Sequence, residues 1–101
     1  MAVRLDPEQN ETRALFDLAE FDGRNVLEIG CGDGRLTWRY ADRAARVTAI
    51  DPFAEGIRRA KEALPRRLGD RVEFHHVTFE DFAAVREPAM FDRVILSWAL
   101  C

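Results

Sequence analysis

Cysteine, glycine, proline and long apolar runs are all scarce in this chain of 101 residues. Its two cysteines, Cys31 and Cys101, cannot form a disulfide framework or complete a metal site by themselves. Six glycines and four prolines are too few for a fibrous or low-complexity chain. No apolar run approaches the ~20 residues of a membrane-spanning helix, and residues 1–6 contain no signal-peptide core. We therefore expect a cytoplasmic protein with neither a bound metal nor a membrane partner.

The composition that remains is that of an ordinary globular domain. Hydrophobic residues make up 48% of the chain, charged residues 33%, and the net charge is −3. This balance excludes a disordered chain and fits a single domain, since domains commonly have ~100–150 residues. Residues 35–71 carry ten basic against five acidic side chains. Such a segment could bind nucleic acid or an acidic substrate, but the acidic balance of the whole chain argues against nucleic acid. We expect a solvent-facing helix surface for its arginines, which are Arg58, Arg59, Arg66, Arg67 and Arg71.

Short apolar runs alternate with helical patterns along the whole chain. The helical spacing of apolar residues predicts helices over 6–21, 34–45 and 54–64 and a short one over 82–85. The apolar runs predict strands over 26–29, 47–50, 72–77 and 91–98. Residues 1–24 thus form a helix and a turn before the first strand. The alternation is typical of a parallel sheet with right-handed crossovers, so the predicted fold class is α/β.

Three alternating glycines, Gly30, Gly32 and Gly34, follow the first predicted strand. A glycine-rich turn at this position is where doubly wound sheets bind nucleotide-like ligands, because the backbone can approach the ligand closely. Asp51 ends the second predicted strand, 21 residues after Gly30. A carboxylate there can accept hydrogen bonds from both hydroxyls of a ribose. The loop and the acid together predict an adenosine-containing ligand.

Two ligand classes compete for this site, and the residues around the glycines separate them. A dinucleotide fingerprint has its third glycine at position 35, which is Arg35 here, and Gly34 comes one residue early. Glu28 lies two residues before the first glycine. A carboxylate there suits a ligand with an ammonium and a sulfonium group, such as S-adenosylmethionine, better than a pyrophosphate. An NAD-binding domain is therefore the less favoured alternative.

The pattern Glu28-x-Gly30-x-Gly32-x-Gly34, followed by Asp51 and by Phe91-Asp92-x-Val94, resembles the class I S-adenosylmethionine-dependent methyltransferases over about residues 25–101. The resemblance implies a doubly wound, Rossmann-like parallel sheet with strand order 3-2-1-4. It implies S-adenosylmethionine as cofactor, with S-adenosylhomocysteine as product, and a small molecule as methyl acceptor. The 101 residues would then be a partial methyltransferase domain that supplies the cofactor-binding half.

The same resemblance implies a role for each part of the site. Glu28 and the backbone of the glycine turn would hold the methionine part, Asp51 the ribose, and Pro52 or Phe53 the face of the adenine. The segment after the third strand would contact the adenine edge; many relatives have an acid where Thr78 stands, so this contact falls to the Phe79 main chain or to Glu80. The end of the fourth strand, at Leu96, Ser97 and Trp98, would lie beside the methyl group. The implied cofactor-binding residues are Glu28, Gly30, Cys31, Gly32, Gly34, Asp51, Pro52, Phe53, Thr78, Phe79, Glu80 and Ser97.

No catalytic residue is identified by the sequence. Methyl transfer is an in-line displacement that depends mainly on positioning, and a base is needed only when the acceptor must lose a proton. His75 and His76 are adjacent on a predicted strand, so their side chains point to opposite faces and cannot chelate one ion together. Trp38 and Tyr40 are expected to be packing residues of the second predicted helix.

The chain is short for the family that it resembles, whose sheet continues beyond the fourth strand. We therefore expect a fragment of a longer protein. The fourth strand would be an exposed sheet edge protected only by Asp92 and Arg93, which predicts a homodimer formed through that edge. The alternative function is a module that binds S-adenosylmethionine without catalysis, or one that merely keeps the fold.

Overall fold

Parallel strands and α-helices alternate in the computed structural model, which describes residues 18–97. The strands are β1 (Asn25–Ile29), β2 (Arg46–Asp51), β3 (Val72–His76) and β4 (Arg93–Leu96). The α-helices are α1 (Thr37–Tyr40), α2 (Ala54–Ala63) and α3 (Phe79–Val85). Single 3-10 turns occupy Leu18–Phe21, Arg66–Leu68 and Pro88–Met90. The predicted α/β class is confirmed.

The sheet has the order β3-β2-β1-β4 and all of its strand pairs are parallel, which confirms the predicted 3-2-1-4 arrangement. Ile29 at the end of β1 pairs with Ile50 on one side and Leu96 on the other. The carboxyl ends of the strands therefore meet at one edge. In open α/β sheets this edge, at the point where the strand order reverses, is where ligands bind.

The two faces of the sheet are covered unequally. Side chains that alternate along the strands, such as Val26, Val47 and Phe74, face the larger core, which α1 and α2 cover. Leu27 and Ile50 point to the other face and pack against Phe82 of α3 in a smaller cluster. Strands β1 and β2 are buried on both faces along most of their length, which is why they appear in the sequence as short apolar runs. In β3, by contrast, Glu73 and His76 are exposed.

The helix predicted over 34–45 was wrong in length, because α1 is a single turn. The Arg39 N–H donates to Leu36 O at 3.0 Å and the Arg43 N–H to Tyr40 O at 2.9 Å, which are the tighter i to i+3 bonds of turns. Gly34 has a φ of +89°, a conformation that cannot belong to a right-handed helix. The loop and the turns thus leave room for only one helical turn between β1 and β2.

Several predicted elements reach beyond the described residues. The part of the first predicted helix before Leu18 lies outside them, as do Trp98 and Cys101. The turn after that helix is present at Gly23, which has a φ of +67°. The strand predicted over 91–98 is described as Arg93–Leu96. Within the described part of the chain, no helix has the length and apolarity to span a bilayer.

Candidate cofactor-binding site

The glycine loop, residues 30–36, leaves the end of β1 and turns across the end of β2. The N–H groups of Gly30 and Cys31 both donate to Ile50 O, at 2.8 and 3.1 Å. Gly30, Gly32 and Gly34 have φ values of +81°, +56° and +89°. Because L-residues rarely adopt this left-handed region, the path of the loop requires glycine at all three positions.

The third glycine also makes room for an aromatic ring of α1. A Cβ on Gly34 would lie 2.8 Å from Cζ2 of Trp38, which is closer than real contacts allow. The backbone N–H of Trp38 donates to Gly34 O at 3.1 Å. The indole packs edge-on against Phe74, with 5.6 Å between the ring centroids. Trp38 is therefore a packing residue, as predicted, and it links the loop to the larger core.

Asp51 connects the glycine loop to the start of α2. Its carboxylate is almost fully buried, with 6% of the residue exposed. Oδ2 accepts the Gly32 N–H at 2.9 Å and Oδ1 accepts the Phe53 N–H at 2.8 Å. A carboxylate can accept about four hydrogen bonds, so two acceptor positions remain for a ligand.

Two clefts open at the carboxyl edge of the sheet, and both include Gly30. The glycine-loop cleft has a volume of about 370 Å³, and the aromatic cleft about 300 Å³. The glycine-loop cleft is lined by Gly30, Cys31, Gly32, Asp33, Arg35, Leu36, Gly56, Arg59 and Ser97. The aromatic cleft is lined by Ile29, Gly30, Asp51, Pro52, Phe53, Thr78, Phe79 and Glu80. Ten of the twelve sequence-predicted site residues therefore lie together around one continuous edge.

Glu28 and Gly34 are the two predicted site residues that line neither cleft. Glu28 is fully buried, and its Oε1 accepts hydrogen bonds from the hydroxyls of Thr37 at 2.7 Å and Tyr40 at 2.6 Å. Its carboxylate thus contacts α1 on the larger-core side of the sheet.

Aromatic side chains flank the second cleft. Phe53 is 73% exposed and Phe79 39% exposed, although phenylalanine is among the residue types most often buried. Thr78 is the N-cap of α3, where its Oγ1 accepts the Asp81 N–H at 3.1 Å. The first N–H groups of α3, at Phe79 and Glu80, have no partner within the helix and border this cleft.

Ser97 and Cys31 are the buried small polar residues of the glycine-loop cleft. The Ser97 hydroxyl donates to Gly30 O at 2.8 Å and lies 3.3 Å from Ile29 O, so it fastens the end of β4 to the loop. Burial and the nearby carboxylates of Glu28 and Asp51 raise the pKa of the Cys31 thiol. A thiol in this state is a packing group of the loop rather than a nucleophile.

Comparison with known proteins identifies the family. The model of the family described as "Methyltransferase domain" matches residues 26–101. This chain belongs to that family. The class I methyltransferase resemblance seen in the glycine loop and Asp51 is thereby confirmed.

Individual relatives are longer than this chain. The ubiquinone biosynthesis O-methyltransferase of Idiomarina loihiensis is 34% identical over 93 residues, covering 91% of this chain and 35% of that protein. The chain thus spans about a third of the length of this methyltransferase. A structure titled as a putative S-adenosylmethionine-dependent methyltransferase from Listeria monocytogenes has 27% identity and a TM-score of 0.53, covering 61% of this chain and 28% of that one.

One structural neighbour in the same fold is named for a different activity. The (4+2)-cyclase SpnF is 31% identical, with a TM-score of 0.53, and the match covers 72% of this chain and 30% of that one. Membership of the methyltransferase fold is therefore compatible with more than one chemistry.

Sequence reasoning missed several residues that line the glycine-loop cleft of this methyltransferase domain. A Cβ on Gly56 would lie 3.1 Å from the carbonyl carbon of Gly32, so α2 packs directly on the loop backbone. A glycine inside a helix costs about 1 kcal/mol of stability relative to alanine. The presence of Gly56 within a predicted helix was therefore the available sign of a close backbone contact. Asp33, Arg35 and Arg59 bring charge to the cleft, and nothing in the sequence distinguished them from surface residues.

The two adjacent histidines of β3 have separate partners. His75 Nε2 lies 3.1 Å from Glu73 Oε1, whereas His76 Nε2 lies 3.0 Å from Pro52 O, and the two imidazoles have no common partner. Among residues 18–97 no three side chains of metal-ligating type form a group. Two arginines of the basic segment lie on the surface as predicted: Arg58 pairs with two glutamates of its own helix and Arg67 with Asp42. Arg71 differs from the prediction, because it is half-buried in the turn before β3 and donates to Asp42 O at 2.9 Å.

Proposed function

We propose that this chain binds S-adenosylmethionine across the two clefts and supplies the cofactor site of an enzyme that methylates a small molecule. The observation that carries the proposal is the meeting of the two clefts at Gly30, with an acid between them. Asp51 belongs to the aromatic cleft and bonds to the loop that lines the other. This arrangement fits a ligand with an adenosine at one end and a charged amino acid at the other.

The ribose is proposed to bind at Asp51. The two backbone hydrogen bonds from Gly32 and Phe53 hold its carboxylate in one orientation. The remaining acceptor positions of Oδ1 and Oδ2 can then each receive a ribose hydroxyl. Hydrogen bonds to a charged acceptor in a nearly dry site are stronger than those in water.

The adenine is proposed to lie in the aromatic cleft, between the rings of Phe53 and Phe79. Burial of these exposed rings against a flat base removes apolar surface from water. Thr78 is occupied in capping α3, so the polar edge of the base would meet the Phe79 N–H and the Glu80 carboxylate. An N–H group at the start of α3 can donate to a ring nitrogen, while a carboxylate can accept from an exocyclic amino group.

The methionine part is proposed to lie in the glycine-loop cleft, beside Cys31, Gly32 and Ser97. When bound, S-adenosylmethionine supplies a methyl group on a sulfonium, whose transfer breaks the sulfur–methyl bond and leaves a neutral thioether. The residues of this chain contribute by orientation: the loop and Ser97 hold the reacting end at the edge where β1 and β4 stop. Fixing the line between acceptor and methyl group supplies much of the acceleration in such a displacement.

Calorimetric titration of the chain with S-adenosylhomocysteine, with NAD as the comparison ligand, tests this site. We expect saturable binding of the first ligand only. Asp51→Asn should weaken it by about tenfold or more, because hydrogen bonds to a charged group are lost. Asp70→Asn is the matched control, since Asp70 lies in the turn before β3 and lines neither cleft. Tighter binding of NAD, or equal effects of the two substitutions, would contradict the proposal.

A second candidate function is a domain that keeps the cofactor site without transferring a methyl group. Similarity to SpnF, which is named a cyclase, is the observation that favours it. Release of S-adenosylhomocysteine in the presence of a panel of small acceptors distinguishes the two candidates. Product formation would support methyl transfer, and cofactor binding without product would support the second candidate.

We also propose that a second copy of the chain pairs along β4. Within the described residues this strand bonds only to β1, and Val94 and Leu96 are half-buried. Charged residues protect sheet edges, so Val94→Lys should reduce self-association measured by light scattering. A chain that stays monomeric at every concentration would refute this pairing.

A further inference from the structure

The buried carboxylate of Glu28 is the least expected group in the larger core. A buried charge is costly unless hydrogen bonds compensate it. Oε1 accepts from Thr37 Oγ1 at 2.7 Å and from the Tyr40 hydroxyl at 2.6 Å, and all three residues are fully buried. Short bonds of this kind to a carboxylate are among the stronger hydrogen bonds in proteins. The Glu28 carboxylate is therefore held by specific hydrogen bonds within the core.

The two hydrogen bonds join the residue before the glycine loop to residues that follow it. Glu28 precedes the loop on β1, whereas Thr37 and Tyr40 follow it on α1, nine and twelve residues later. Helix α1 has only four residues and no side-chain cap at its start. A helix of this length has no stability of its own, so tertiary contacts must hold it in place.

The position of α1 in turn determines the position of the loop. The backbone N–H of Trp38 donates to Gly34 O, and the indole of Trp38 fills the space beside the Gly34 Cα. On its other sides the loop is held by Asp51 and Ser97. A shift of α1 would therefore move the third glycine while the first two stay anchored.

We propose that Glu28 acts on the cofactor through the glycine loop, an inference that rests on the cofactor site described above. Thr37 and Tyr40 are then positioning residues, which fix the loop by donating hydrogen bonds to the Glu28 carboxylate. This role differs from the direct contact with the methionine part that the family resemblance implies for Glu28, and that contact stays a prediction. Burial, followed by the charge and hydrogen bond of Glu28, raises the pKa of Tyr40. The phenol therefore keeps its proton and remains a donor at physiological pH.

Tyr40→Phe and Thr37→Val remove one donor each while leaving the shape of the side chain nearly unchanged. Val72→Ala is the matched control, because it removes buried volume at the amino end of β3, at the opposite edge of the sheet from the loop. Thr37→Ser keeps the hydroxyl and tests rescue. The free energy of unfolding, the affinity for S-adenosylhomocysteine and the exchange of the loop amides are measured for each variant.

At equal loss of stability, Tyr40→Phe and Thr37→Val should bind S-adenosylhomocysteine about five- to tenfold more weakly than Val72→Ala. This is only part of the effect of losing a hydrogen bond to a charged group, because the lost bond acts on the loop and not on the ligand itself. Amide exchange at the glycine loop should rise by a similar factor, and Thr37→Ser should restore both. If the variants lose stability but match Val72→Ala in affinity and loop exchange, Glu28 has only a structural role and the proposal is overturned.

Loop exchange is measured without ligand, so it also separates this proposal from that of the cofactor site. If the unsubstituted chain does not bind S-adenosylhomocysteine, the proposed function fails. Loop exchange in the Tyr40 and Thr37 variants then still decides whether these residues position the loop. The backbone amides of Gly34 and Trp38 are suitable probes, because they donate to Cys31 O at 3.0 Å and to Gly34 O at 3.1 Å, in the part of the loop that α1 positions.

Discussion

Replacing Gly34 with alanine should destabilise the chain through two separable effects. The φ of +89° is a conformation that costs an L-residue about 1–2 kcal/mol. The new Cβ would lie 2.8 Å from Cζ2 and 3.0 Å from Cε2 of Trp38. The indole packs on the core and cannot move freely, so the overlap adds about 1–3 kcal/mol. The expected total is about 2–5 kcal/mol.

Two other glycines isolate the backbone effect. Gly23 and Gly32 have φ values of +67° and +56°, and a Cβ at either would meet no atom within 4 Å. Their alanine variants should therefore show the backbone cost alone. Gly34→Ala should be less stable than Gly23→Ala by about 1–3 kcal/mol, which for a chain of this size is a Tm difference of at least about 4 °C.

Thermal and denaturant unfolding followed by circular dichroism measure these differences. A double-mutant cycle with Trp38→Leu tests the cause, since removing the indole should remove the overlap. The double variant should then be more stable than the sum of the single effects predicts. The reasoning is refuted if Gly34→Ala matches Gly23→Ala, or if the cycle is additive within about 0.5 kcal/mol.

Three further outcomes are expected. Gly56→Ala should gain about 1 kcal/mol of helix propensity but weaken binding of S-adenosylhomocysteine, because its Cβ would press on the Gly32 backbone at 3.1 Å; unchanged affinity in calorimetry would contradict this contact. Cys31 should resist alkylation in the folded chain, because burial and neighbouring carboxylates raise its pKa and the thiolate is the reactive form; rapid labelling detected by peptide mass would refute this. The hydrogen bond from Arg58 lowers the pKa of Glu55 from 4.5 to about 2. The contribution of this ion pair to the free energy of unfolding is therefore complete above the pKa of Glu55 in the unfolded chain. It is lost as the pH falls through the pKa of Glu55 in the folded chain. Glu55→Gln should flatten that small, salt-sensitive part of the pH–stability curve, and an unchanged curve would contradict the pairing.

The strands and the place of the glycine loop could be predicted because they depend on local patterns. The apolar runs predicted β1 and β2 to within one residue at each end. Buried parallel strands are apolar on both faces, so a short continuous run identifies them. The strand order followed from the family resemblance carried by the glycines and Asp51, and the structure confirms it.

The prediction for the helix after the loop failed for an instructive reason. Leu36, Tyr40 and Ala44 have helical spacing, and all three are buried. The spacing thus reported correctly which side chains face the core. It could not distinguish a continuous helix from one helical turn followed by tighter turns, because both bury every fourth residue.

Glu28 shows what the sequence leaves open at the site. A carboxylate before a glycine loop predicts contact with a cationic ligand, and that contact stays a prediction, whereas the hydrogen bonds from Thr37 and Tyr40 are seen only in the structure. Both explanations need an acid at this position. Only the direction of the side chain from β1 distinguishes them, and that direction depends on which helix covers that face of the sheet.

By itself the sequence determined the alternation of strands and helices, the left-handed glycines and the acid that ends β2. These features are local, because they follow from side-chain period and backbone sterics. Only the tertiary structure brought Ser97 to Gly30 and Gly56 to Gly32. Such contacts join residues far apart in the chain, and they arise when strands pair in register and helices pack on the sheet. No local pattern encodes that packing, so the shape of the clefts and the hydrogen-bond partners of Glu28 could be seen only in the folded chain.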